Sequence, residues 1–180
     1  MSGGLEFYNR RKGFEFKASV GPPAGVKIEN RIGVQAPPAI VWEILHDLAA
    51  WPAWNPIYPE TAGEVRIGQV LTLTRALPDQ PPEPLQATVI DWTPNELLHL
   101  KRTTLRGLVV VTHYWEIDTL EREDCCSFSN GELYLGWLGP SVGRRIRRPL
   151  RRGVVAVGEA MKARAEALWR ERGGAPTSAP

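Results

Sequence analysis

The chain has 180 residues, 43% of them apolar and 23% charged, with a formal net charge of +2. Such a chain is long enough to bury a sizeable core in one domain, and its composition argues against disorder. The near-neutral charge predicts no nucleic-acid partner, and no uncharged apolar run is long enough to predict a membrane span.

Met1 to Lys12 carries early charges and no apolar stretch, which predicts no signal peptide. The first 25 residues mix Phe7, Tyr8, Phe14 and Phe16 with glycine and basic residues, and end in Gly21-Pro22-Pro23-Ala24-Gly25. They read as an N-terminal extension that could add an edge strand. Val26 to Gln35 alternates apolar Val26, Ile28, Ile32 and Val34 with polar neighbours, as a strand does. Pro37-Pro38 then opens a helix, since proline in the first turn loses no needed hydrogen bond. Ile40, Val41, Ile44, Leu45 and Leu48 follow at helical spacing. Trp51-Pro52-Ala53-Trp54-Asn55-Pro56 breaks that helix and predicts a second short one.

Strands follow at Val70 to Arg75, Leu85 to Trp92, Leu97 to Leu105, Leu108 to Asp118 and Cys125 to Leu135. Pro78 to Pro84, with four prolines, reads as a loop. Arg106-Gly107 is a hairpin tip, and Glu121 to Asp124 a polar turn. Gly139-Pro140 ends the sheet, with Ser141 as the expected N-cap of the last helix. Ile146, Leu150, Val154, Val157, Met161, Ala165 and Leu168 make one apolar stripe. Pro149 within it predicts a kink, or a helix that starts near Leu150. Residues 171–180 read as a disordered tail.

The turns suggest a register. A tip at Arg106-Gly107 sets Val111 opposite Arg102 and His113 opposite Leu100. A turn between Thr119 and Asp124 sets Val111 opposite Glu132, His113 opposite Asn130, and Trp115 opposite Phe128. One face then carries Leu98, Leu100, Arg102, Val109, Val111, His113, Trp115, Ile117, Phe128, Asn130, Glu132 and Tyr134. Lys101, Thr103, Thr112, Glu116 and Ser127 face the other way. Arg102, His113, Asn130 and Glu132 thus meet on an apolar wall, with Arg102 and Glu132 near enough to bridge across Val111.

The strand, the proline-started helix with Val41-Trp42 and Asp47, and the Trp51 to Pro56 block resemble the opening of the START-like, or SRPBCC, superfamily. The resemblance is to its polyketide cyclase/dehydrase and lipid-transport branches. Gly68 before Leu71-Thr72-Leu73, Val89 ahead of Pro94, Leu98-His99-Leu100, Gly107, His113-Tyr114-Trp115, Glu132 to Gly136 and Met161 to Glu166 fit as well. The match covers about 26–170; the extension before Val26 and the arginine run fall outside it. The resemblance implies an α+β helix-grip fold. A curved antiparallel sheet of about six or seven strands would embrace a long C-terminal helix, with two short helices after the first strand. It also implies a cavity for lipids, polyketides or related ligands, in members that are either enzymes or binders.

On that reading the ligand-binding residues are Trp54, Leu71, Leu73, Val89, Leu98, Leu100, Arg102, Val111, His113, Trp115, Phe128, Asn130, Glu132, Tyr134, Val157 and Met161, with Val154 beside them. The polar four admit three readings: ligand anchors, a self-satisfied buried network, or an acid–base pair of His113 and Glu132. Trp42, Trp51 and Trp92 are expected to be core. Arg144, Arg145, Arg147, Arg148, Arg151 and Arg152 read as a solvated helix face, or as a weak contact for anionic membrane. His46, His99 and His113 lie on separate elements without ligand spacing, so no metal and no cofactor is predicted. Cys125 and Cys126 are adjacent, and adjacent cysteines bridge only with strain. They read as the reduced thiols of a cytoplasmic protein.

Overall fold

The computed structural model describes residues 25–174. The first 24 residues of the expected extension, and 175–180 of the expected tail, lie outside that range. The elements are β1 (Val26–Val34), α1 (Pro38–His46), a 3₁₀ helix (Leu48–Ala53), β2 (Glu60–Ala62), β3 (Val70–Arg75), β4 (Glu83–Thr93), β5 (Leu97–Thr104), a single 3₁₀ turn (Leu105–Gly107), β6 (Val109–Thr119), β7 (Cys126–Leu135) and α2 (Gly139–Glu171). The strands form one seven-stranded sheet in the order β1-β7-β6-β5-β4-β3-β2. All its pairings are antiparallel. The sheet curves around α2 in the helix-grip arrangement.

The concave face and the α2 stripe make the core. Leu150, Val154, Val157, Met161 and Ala165 of α2 are at most 2% exposed. Glycine lets the helix come close: a Cβ at Gly158 would lie 2.2 Å from Asn30 Nδ2. The short helices close one end. Ile40, Val41, Ile44 and Leu45 of α1 are buried. Asp47 then accepts a hydrogen bond from Ala50 N at 3.3 Å and caps the 3₁₀ helix. That helix buries Trp51 fully, with its indole N–H donating to the Leu45 carbonyl at 2.9 Å. Asn55 Oδ1 accepts from Ile57 N at 3.1 Å and turns the chain back towards the sheet.

Several expectations need correction. The β5–β6 register is as expected, with Val111 opposite Arg102 and His113 opposite Leu100. The β6–β7 register is displaced by two residues: Val111 faces Tyr134, His113 faces Glu132, and Trp115 faces Asn130. The turn spans 120–125 rather than closing tightly at Asp124, and a slip of two keeps every side chain on its face. Pro78 to Pro84 is not all loop, because Glu83 and Pro84 pair with Arg75 and Thr74 of β3. Ser141 caps nothing: the helix starts at Gly139 behind Leu138, without a side-chain cap. It also continues through Pro149 rather than starting there. At its far end, Arg172 donates to both Glu43 oxygens at 2.8 and 2.7 Å. The short β2 had no predictive signal between Pro59 and Gly63.

One irregularity in the sheet positions the site. The β4–β5 ladder runs from Thr93↔Leu97 through a bulge near Ile90 to Thr88↔Lys101, and stops there. Beyond that point β4 pairs only with β3, and β5 only with β6. The sheet parts between them, which is also where Pro84 fits, since a proline suits a strand with a free side.

Candidate functional site

The gap leads to a polar cluster buried against the apolar concave face. Period-2 alternation puts Arg75 of β3 on the face of Leu71 and Leu73, and Glu83 of β4 on the face of Leu85 and Ala87. Arg102 comes from β5, His113 from β6, Glu132 and Tyr134 from β7, and Tyr58 from the segment after the 3₁₀ helix. Arg75, Arg102, His113 and Glu132 are 5%, 9%, 0% and 2% exposed.

Charge compensation holds the cluster. Arg75 Nη1 donates to both oxygens of Glu132, at 2.8 and 2.7 Å, and to Tyr134 OH at 3.2 Å. Its Nη2 donates to Glu83 at 2.5 Å. Arg102 Nη1 donates to the other Glu83 oxygen at 2.8 Å. Tyr134 OH donates to Glu132 at 2.5 Å. His113 Nδ1 lies 3.2 Å from Glu132 Oε1 and 3.3 Å from Tyr58 OH. Two arginines thus face two carboxylates around one imidazole.

Burial opposes ionisation of Glu132, yet attraction to His113 and Arg75, with hydrogen bonds from His113 and Tyr134, holds its pKa well below the usual carboxylate range. Glu83 is also lowered: partial burial works against it, but the Arg102 hydrogen bond and the Arg75 charge prevail. Burial, then the Glu132 charge, raises both the Tyr58 and Tyr134 phenols. The carboxylates are therefore ionised and the phenols are hydrogen-bond donors at neutral pH. Two buried atoms of the cluster have no partner: Arg102 Nε and His113 Nε2.

The cluster meets solvent at the gap. A cleft of about 490 Å³ opens there, lined by Thr72, Glu83, Pro84, Leu85, Gln86, Arg102, Thr103 and Thr104. Arg102 is its buried wall and Glu83, whose side chain is 45% exposed, its rim. Away from the gap the concave face is filled. Leu71, Leu73, Val89, Leu98, Leu100, Val111, Trp115, Phe128, Tyr134, Val157 and Met161 are at most 3% exposed and belong to one packed core.

The expected strand residues therefore share the concave face, while Trp54 ends the 3₁₀ helix and Val157 and Met161 lie on α2, and some roles are redistributed. Arg102 does not bridge to Glu132; it holds Glu83, and Glu132 belongs to Arg75. Asn130 stands apart, donating to the Val154 carbonyl of α2 at 2.9 Å. Trp115 packs edge-on against Trp51 with ring centroids 5.0 Å apart, and Trp51 similarly meets Trp54 at 6.2 Å. Trp42 and Trp92 meet at 6.1 Å. Sequence reading missed Arg75, Glu83 and Tyr58. The alternation of Leu71, Leu73 and Arg75 could have revealed the first; nothing local marks Tyr58. Outside the cluster, Cys125 and Cys126 are free, and burial pushes the Cys126 thiol up to about 12. The α2 arginines are exposed, and a second cleft of about 750 Å³ lies between Arg147, Arg148, Arg151 and Arg152 and the Lys27–Glu29 stretch of β1. Among the described residues, no helix is long and apolar enough to cross a membrane.

Comparison with known proteins agrees with this architecture. No curated protein sequence matches significantly. Among solved structures, the Zhui aromatase/cyclase from Streptomyces sp. R1128 superposes with a TM-score of 0.68 at 18% identity, over 84% of this chain and all of the other (100%). The di-domain aromatase/cyclase StfQ of the steffimycin biosynthetic pathway gives 0.64 at 18% identity, over 84% of this chain and 53% of that one, so this chain spans about half of it. A START superfamily protein from Mycobacterium smegmatis gives 0.61 at 17% identity, over 79% of this chain and 98% of that one. At these identities the likeness is one of fold. The sequence profile of the family described as "Polyketide cyclase / dehydrase and lipid transport" matches residues 25–168. With its seven-stranded sheet gripping a long C-terminal helix, the chain belongs to that family, within the START/SRPBCC superfamily.

Proposed function

We propose that this protein binds a small amphipathic molecule whose polar end enters the gap between β4 and β5 and meets Arg102. The observation that carries this reading is the unpartnered, buried Nε of Arg102 in the wall of a solvent-open cleft. A buried guanidinium N–H without an acceptor is unfavourable, and a ligand carbonyl or hydroxyl would satisfy it. Glu83 on the rim disfavours a second carboxylate there and suits a hydroxyl donor. Leu85 and the apolar wall behind it offer the surface for the ligand's hydrocarbon part. Because that wall is filled, the ligand's apolar end would have to displace side chains.

Native mass spectrometry of the purified protein, followed by denaturing extraction, tests this. A co-purifying apolar or amphipathic molecule is expected, lost or bound about 10-fold or more weakly in Arg102→Met, as one hydrogen bond to a charged group is removed. A variant that retains the molecule undiminished would refute the assignment of Arg102.

A second reading rests on His113 and Glu132. A carboxylate 3.2 Å from one imidazole nitrogen, with the other nitrogen unpartnered, is an arrangement that orients a histidine for proton transfer. It supports a cyclase- or dehydratase-type reaction on a polyketide-like or aromatic substrate. Turnover of such a substrate should then disappear in His113→Gln while ligand binding persists.

A further inference from the structure

A different part of the molecule carries an inference that does not depend on the ligand site. The β5–β6 turn and the β7–α2 turn meet at one pole. Leu108 N donates to the Leu105 carbonyl at 3.2 Å, and Leu138 N donates to the Leu108 carbonyl at 3.0 Å. This junction presents three apolar side chains to solvent: Leu105 is 56% exposed, Leu108 40% and Trp137 79%. Leu105 is held at φ 51° and Arg106 at φ 55°. That left-handed region is unfavourable for a branched side chain, and glycine or asparagine would adopt it more easily. Neither folding nor solubility accounts for an exposed leucine there.

Arg144, Arg145 and Arg148 follow on the first turns of α2. Arg144 and Arg148 lie about 8 and 14 Å along the axis from the helix start, at 1.5 Å per residue. All three are exposed, and no described acid pairs with them. Further along, Arg151 holds the Glu29 carbonyl and Arg152 holds Asp79. Arg147, between Arg145 and Arg148 in sequence, is likewise exposed, so the run without a described acidic partner precedes the paired arginines along α2. That run also sits near the positive end of the helix dipole, with no acid in the first turn, a placement that weakens the helix rather than supporting it. An exposed tryptophan and leucines bordered by uncompensated arginines fit a surface that is apolar beneath and anionic on top.

We propose that this pole, formed by Leu105, Leu108 and Trp137 with Arg144, Arg145 and Arg148, docks on an anionic lipid bilayer. The apolar side chains enter the interface and the arginines meet the lipid phosphates.

Co-sedimentation of the full chain with vesicles tests it, using phosphatidylcholine alone and phosphatidylcholine with added phosphatidylglycerol. Binding is expected on the anionic vesicles and should fall as salt is raised. Arg144→Gln with Arg148→Gln should lower partitioning about 30-fold, about fivefold for each charge near the surface. Leu105→Gly removes an apolar contact and releases the backbone, so it should weaken binding with no fall in melting temperature. No binding, equal binding to neutral vesicles, or Leu105→Gly binding as well as the parent would overturn the proposal. So would selective capture of an acidic protein by this pole while vesicles are ignored.

Discussion

Replacing Arg75 by methionine probes what holds the buried cluster together. The Arg75 and Glu132 side chains are 5% and 3% exposed, so losing the guanidinium strands a carboxylate in surroundings that solvate it poorly. Tyr134 keeps Glu132 as its acceptor, and Glu83 keeps Arg102. The damage therefore falls on Glu132. Breaking a buried pair from one side costs about 3–5 kcal/mol, and that loss is expected at neutral pH. The pH dependence carries a sharper signature. In the parent, the folded pKa of Glu132 lies below its unfolded value of about 4.3. Its contribution is therefore complete above that value and is lost as pH falls towards the folded pKa. In Arg75→Met the part of that lowering supplied by the Arg75 charge is gone. Less stability should then be lost between neutral and acid pH than in the parent, because the folded pKa of Glu132 moves back towards its unfolded value. Adding Glu132→Leu removes the stranded charge, so the double variant should be more stable than Arg75→Met alone. Urea unfolding followed by tryptophan fluorescence at several pH values reads all of this. A loss below about 1 kcal/mol, well under that expected for a buried pair, or a pH slope like the parent's, would refute the account of the cluster.

Three further substitutions test the scaffold. Trp115→Ala should cost about 3–5 kcal/mol in urea unfolding, because the ring is 3% exposed and packed on Trp51; a near-neutral change would return Trp115 to the role of a ligand contact. Gly131→Ala places a Cβ 2.3 Å from the Ile28 carbonyl of the paired strand, so a loss of about 1–3 kcal/mol is expected from the same measurement. Asp47→Ala removes the cap on Ala50 N and should cost about 1 kcal/mol, read as a lower thermal midpoint.

Sequence alone determined the order of the elements other than β2, and which side of each of those strands is buried. Alternation has a period of two and the α2 stripe a period of 3.6, and both survive uncertainty about where a turn closes. The concave positions from Leu98 to Tyr134 were legible for that reason, even though the β6–β7 pairing was displaced by two residues. Which polar groups meet was decided only by tertiary structure. Arg75 and Glu132 are 57 residues apart, and their contact follows from sheet order, register and curvature together. Once Arg75 takes Glu132, Arg102 is left to Glu83 at the gap, where it lines a cleft that no local pattern encodes. The exposed pole is a similar case. Leu105, Trp137 and the arginines are ordinary residues in sequence, brought together where two turns join at the start of α2.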